Sequence, residues 1–214
     1  MGLRKARKRK TIDGEGLRER KRRLTRERIS EAALTLFLER GFEATTVDDI
    51  SAAAEVSKRS FFDYFPTKED VVQAWQDEFG FRLATAIADR PADEPMTKVV
   101  EEALITSLKD ATADPRNIAI GDLIHETPAL RARDQLKYAK LEQILAEALT
   151  ERVKGQAGRL RARLLAMIAV GGLRVGGEAW RRRPQSESVE IFARRIFGTI
   201  WDQLADFGAS AKKR

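Results

Sequence analysis

Apolar residues recur every three or four positions along most of the chain and never alternate long enough for a sheet, so the pattern predicts an all-α fold of about nine helices. The first is predicted over 24–40. Thr25 would cap it, Ile29, Ala32, Ala33, Leu36 and Phe37 form one stripe, and Gly41 stops it. Two short helices follow. Thr46, with Asp49 three residues on, reads as a capping box at the start of one, with Ile50 and Ala53 spaced to face a core. Ser57 is placed to cap the next, whose first turn is Lys58-Arg59-Ser60. Thr67 with Asp70 opens a fourth helix running to about residue 89, with Val71, Val72, Trp75, Phe79 and Leu83 inward. Beyond the loop from Arg90 to Pro95, helices are predicted over about 96–111, 117–125, 128–153, 159–183 and 187–207. The breaks are Asp114-Pro115, the glycine-containing stretch 154–158, and Pro184. The organisation expected is a basic arm (1–23), a small helical domain (24–70), a larger one (71–208) and a short basic tail (209–214).

Composition narrows the function classes. The chain has 214 residues, 43% hydrophobic and 34% charged, with no Cys and one His. Disulfides and thiol chemistry are excluded, and a lone His without Cys makes a poor metal site. No apolar run approaches the ~20 residues of a membrane span, and no apolar signal-peptide core follows the basic start, so a cytoplasmic protein is expected. Gly-rich phosphate loops and paired metal-ligand motifs are missing, which argues against an enzyme and against a bound cofactor. Net charge is +7, and its location matters more than its size. Residues 1–23 hold eleven Lys or Arg against three acids, so the arm carries the whole excess. So few apolar residues predict disorder, and a cationic arm beside the first helix is placed to add phosphate contacts or to enter a minor groove. A solvated tail is the plainer alternative.

Two short capped helices, the second opening with basic and hydroxyl side chains, have the layout of a helix-turn-helix that reads a DNA major groove. The stretch resembles the DNA-binding domain of the TetR family of bacterial transcriptional regulators. The resemblance rests on Thr45-Thr46-Val47, Asp49-Ile50, Val56-Ser57, Tyr64-Phe65 and Lys68-Glu69, with Ile29, Ala32-Ala33, Leu36-Phe37 and Gly41 upstream. From the residues, Lys58 and Arg59 are the best base-contact candidates, Arg being suited to bidentate contact with guanine. Ser57 caps the helix that carries them, and Ser60 could touch base or phosphate. The resemblance implies that Thr46, Tyr64 and Lys68 hold the DNA backbone. Where the family often has Gly and Tyr, this chain has Arg59 and Phe62, and Asp63 beside them repels phosphate unless it accepts from a cytosine amino group.

In the last two predicted helices, Leu164, Ile168 and Gly172 line one side, and Phe192, Ile196, Phe197, Ile200 and Trp201 the other. The resemblance implies that these helices pair with their mates in a homodimer. Two-fold symmetry suits two reading heads on one palindromic operator. The resemblance also implies a ligand cavity among the intervening helices, for which Trp75, Phe79, Leu104, Leu108, Ile120, Ile124, Leu141 and Leu145 are the apolar lining candidates, with Phe81 beside them. Taken singly, each of these is better explained as ordinary core than as ligand wall. The run from His125 to Arg133 resembles a TetR subgroup associated with acyl-CoA-like ligands, including regulators linked to mycofactocin. Arg131, Arg133 and Arg174 are available for phosphate. The function expected is a ligand-responsive dimeric repressor released by a small apolar, acyl-CoA-like ligand. The alternative is a sequence-tolerant nucleic-acid-coating protein acting through its basic arm.

Overall fold

A computed structural model describes residues 16–182 and 187–211. Most of the basic arm, the Pro184 stop and the last residues of the basic tail lie outside the described residues. Among the described residues the regular elements are nine helices, α1 (Leu17–Arg40), α2 (Val47–Ala53), α3 (Lys58–Tyr64), α4 (Lys68–Ala88), α5 (Met96–Ala113), α6 (Pro115–Glu126), α7 (Pro128–Thr150), α8 (Gly155–Arg181) and α9 (Val189–Ala211). The chain divides into two compact units, Met1–Val71 and Val72–Arg214.

In the first unit, α1 begins about two turns before the Leu24 expected. Thr25 therefore lies inside the helix, and its hydroxyl donates back to the Lys21 carbonyl at 3.0 Å. Residues 17–23 are helical where disorder was expected. Arg, Lys and Glu are strong helix formers, and Arg23 pairs with Glu27 one turn on at 2.9 Å. Gly41 ends α1 at φ 85, in the region that favours glycine. Ile29, Ala33 and Phe37 of α1 are buried, together with Phe42, Ile50, Phe61 and Phe65. Each large apolar side chain removed from water contributes roughly 1.5–3 kcal/mol. The Phe37 and Phe42 rings lie 4.9 Å apart. Buried Thr45 donates to the Gly41 carbonyl at 2.8 Å and so braces the loop into α2.

In the second unit, one core gathers Leu83 and Ile87 of α4, Val99 and Leu104 of α5, Leu145 and Leu149 of α7, Ala166 and Ala169 of α8, and Phe197 of α9. Two expected breaks turn out to be helix starts. Asp114 accepts from the Arg116 amide as the cap of α6, so Pro115 opens that helix at a position where its missing N–H costs nothing. The expected turn at 154–158 is mostly the first turn of α8, entered through Gly155 at φ 74. At Gly172 an added Cβ would sit 2.5 Å from Ile200 Cδ1, the movable end of that side chain, where α9 packs on α8 within one chain.

Long polar ties complete this unit. Arg152 donates to the carbonyls of Ile87 and Arg90, each at 3.1 Å, and to that of Pro91, and so caps the end of α4. Arg194 of α9 donates to Glu102 of α5 at 2.9 Å and to Glu190 at 3.2 Å, and Lys109 donates to Glu190 at 2.8 Å. The hydrogen bond from Arg194 holds the Glu102 carboxyl below its ordinary range. Those from Lys109 and Arg194 do the same for Glu190.

Candidate functional site

The short α2 and α3 owe their ends to local polar chemistry. The Thr46 hydroxyl accepts from the Asp49 amide at 3.1 Å, and the Asp49 carboxylate accepts from the Thr46 amide at 2.9 Å, a complete capping box. The Thr46 hydroxyl also donates to the Asp49 carboxylate at 2.5 Å, and this bond first, then the one from the Thr46 amide, with the Arg40 charge adding a little, lowers the Asp49 pKa. Ser57 accepts from the Ser60 amide at 3.0 Å and caps α3. At the start of α4, Asp70 accepts from the amide and hydroxyl of Thr67, each at 2.8 Å. The turn between α2 and α3 closes through the Val56 amide on the Ser51 carbonyl at 3.0 Å, and it places Glu55 at φ 51. A side chain pays for that left-handed conformation.

These caps leave the exposed side of α3 to Lys58, Arg59, Phe62 and Asp63, while Phe61 and the following Phe65 anchor the helix below. Arg59 makes no ion pair or hydrogen bond among the described residues. Lys58 pairs with Asp48 of α2 at 2.9 Å, an exposed bridge that a phosphate or base could displace at little cost. Ser60 is turned toward Ser57, their hydroxyls 2.9 Å apart. The Tyr64 ring is half-buried, and the Arg22 guanidinium lies 5.9 Å from its centroid.

Lys68 is engaged within its own unit. Its ammonium donates to the carbonyls of Phe42 at 2.7 Å and Thr45 at 3.0 Å, and lies 4.3 Å from the Phe42 ring centroid. The ammonium that the resemblance assigns to the DNA backbone is held here by those carbonyls and that ring, and the side chain ties the start of α4 to the loop before α2.

The second unit holds a cavity of about 710 Å³, partly open to solvent, between α4, α5, α6, α7 and α8. Of the expected apolar lining, Trp75, Phe79, Leu108, Ile124 and Leu141 are on its wall. Leu104, Ile120 and Leu145 are not. They are sealed in the interior, at 0%, 1% and 0% exposure. Phe81 points to solvent at 60%. Periodicity places Trp75 and Phe79 on an inward stripe, but a stripe facing a core and a stripe facing a cavity have the same period.

The wall is more basic than expected. Arg131 and Arg174 line it as anticipated and Arg133 does not, while Arg82, Lys137, Lys140, Arg181 and Arg182 join it with Tyr138 and His125. Asp77, Asp122 and Glu178 are the acids on it among the described residues. Lys140 of α7 pairs with Asp77 of α4 at the wall. The clustering of Arg181 and Arg182 after Trp180 was visible in the sequence. Nothing local said that the end of α8 would meet the start of α7.

The residues proposed for self-association divide. Phe192 and Phe197 are buried within their own chain, Trp201 stacks on Phe197 with centroids 6.4 Å apart, and Gly172 receives Ile200. Ile168, Ile196 and Ile200 are half-buried. Leu164 is exposed, on a face of α8 shared with Leu160, Met167 and Val175.

Comparison with known proteins agrees with this geometry. Residues 29–75 match the family described as "Bacterial regulatory proteins, tetR family", and residues 94–204 match the "MftR C-terminal domain". The chain belongs to the TetR family of transcriptional regulators. This TetR-family regulator is 32% identical over 151 residues to the HTH-type transcriptional regulator TcmR of Streptomyces glaucescens, covering 67% of each chain. It is 27% identical over 188 residues to the HTH-type transcriptional repressor KstR2 of Rhodococcus jostii, covering 84% of this chain and 91% of that one. Its fold resembles a TetR-family regulator from Streptomyces coelicolor, with TM-score 0.57 at 24% identity, over 82% of this chain and 92% of the other. These relatives are regulators and not enzymes, and no described helix is long and apolar enough to cross a membrane.

Proposed function

We propose that this TetR-family regulator acts as a dimeric repressor that binds a palindromic operator and releases it when a small amphipathic ligand, acyl-CoA-like in character, fills the cavity of its second unit. The observation that carries the reading is the pairing of two features. α3 presents an Arg59 unpaired among the described residues, on a helix capped and anchored for groove reading, and a cavity of about 710 Å³ combines aromatic walls with a surplus of cations among its described lining residues.

In this reading Arg59 and Lys58 contact base edges, and Thr46, Ser57, Ser60 and Tyr64 lie against the backbone, with Lys68 exchanging its carbonyl partners for phosphate. The exposed face of α8 with Leu164, continued by Ile168, Ile196 and Ile200, meets its two-fold mate. Trp75, Phe79, Leu108, Ile124 and Leu141 would take an acyl chain, and Arg131 and Arg174 an anionic head. Release is a population shift, so the ligand binds the DNA-incompetent conformation more tightly than the competent one. KstR2, named as a repressor, supports that sign of control.

The test is a gel shift of the full chain on the DNA upstream of its own gene, with excess competitor and with or without a long-chain acyl-CoA. A discrete complex that dissolves on adding acyl-CoA is the expected result. A discrete complex indifferent to acyl-CoA and to other anionic amphiphiles overturns the ligand class and leaves the operator reading standing.

A further inference from the structure

The stripe that buries Ile29, Ala33 and Phe37 in the first unit continues toward the N-terminus of α1 at helical spacing as Arg26, Arg22 and Arg18. One helix face thus changes from apolar to cationic where α1 runs past the edge of its core. That face is oriented by contacts, because Arg26 lies 5.1 Å from the Phe65 ring centroid and Arg22 lies 5.9 Å from that of Tyr64. Both rings are at the C-terminal end of α3. All three arginines are exposed, and the match to the TetR DNA-binding family begins only at residue 29.

Resting on the reading of α3 as the groove helix, we propose that the first two turns of α1 are a phosphate-binding edge. Arg18 and Arg22 hold the sugar-phosphate backbone of the same duplex beside Tyr64, in helical register and not as a loose cationic tail. Successive arginines on this face are about 6 Å apart along the axis, so they track a backbone in place of gripping one point. Arg26, seated on Phe65, fixes the direction of the edge.

The helix supplies its own control. Arg20 and Arg23 lie on its opposite side, and their removal changes the charge equally. Full-length chain, R18A/R22A and R20A/R23A would be titrated by fluorescence anisotropy, over a range of salt, against a duplex selected by the chain from a random library and against a random-sequence duplex. Alanine preserves the helix, which far-ultraviolet circular dichroism checks. The expected result is that R18A/R22A weakens binding to both duplexes and flattens the slope of log affinity on log salt by about 1.8, or about 0.9 per lost phosphate contact, while R20A/R23A changes the slope less than half as much. Equal effects from the two pairs, or none from either, overturn the registered edge. A wild-type chain that fails to distinguish the two duplexes overturns the operator reading instead, and one that binds neither overturns both.

Discussion

In the first unit the polar side chains that shape the reading helices bond to residues three positions away, as in Thr46 with Asp49, Ser57 with Ser60 and Thr67 with Asp70. In the second unit the long ties join residues 61 to 92 positions apart, such as Arg152 with Pro91, Lys140 with Asp77 and Arg194 with Glu102. The difference teaches where function can be read in a chain. A site made by caps and a tight turn is written in consecutive residues. A cavity exists only after five helices have met.

Substitutions in the second unit strike hardest at that contrast. Leu145→Ala and Leu104→Ala empty fully buried positions and are expected to cost about 2–5 kcal/mol of stability in thermal or urea unfolding. Phe79→Ala and Trp75→Ala, on the cavity wall, should cost clearly less while changing ligand response the more. If wall and core substitutions destabilise equally, the wall is core and the cavity is not a ligand site.

In the first unit, Lys68→Met removes a charged donor from two carbonyls and an aromatic face, and about 1–2 kcal/mol of stability should go with it. A loss of DNA affinity with unchanged stability would leave Lys68 to the DNA backbone alone. Glu55→Gly relieves the left-handed turn residue and should stabilise by under about 1 kcal/mol, since glycine also loosens the unfolded chain.

The smallest effect depends on pH. Because the Asp49 pKa is lowered by folding, its contribution is complete above the unfolded-state pKa and is lost as pH falls through the folded one. Thr46→Val removes the hydroxyl chiefly responsible, so the variant should be less stable than wild type above the unfolded-state pKa and converge with it in acid, giving a shallower acid limb. An unchanged acid slope would assign the sensitivity to other carboxylates, Glu102 and Glu190 first.

The same contrast explains what was legible in advance. The all-α class, the caps at Thr46 and Ser57 and the helix stop at Gly41 followed from residue type and spacing. The extra turns of α1 were missed because a cationic run was judged by its lack of apolar residues and not by its helix propensity. Leu104 and Leu108 sit on neighbouring turns of α5 with the same chemistry, yet one is core and the other cavity wall. Only their distant neighbours decide which. Lys68 was assigned outward by resemblance, and the carbonyls that capture it belong to a loop 23 to 26 residues earlier in the chain.

Arg152 has a consequence for how the protein is made. Chains leave the ribosome N-terminus first, and domains tend to fold as they emerge. Every side-chain tie described for the first unit is available once residue 70 has appeared. The carbonyls at the end of α4, by contrast, wait for a guanidinium 65 residues downstream of Ile87, and Glu102 waits for an arginine 92 residues later. During synthesis, the half that reads DNA can be finished while the half that carries the cavity is still missing its last helix.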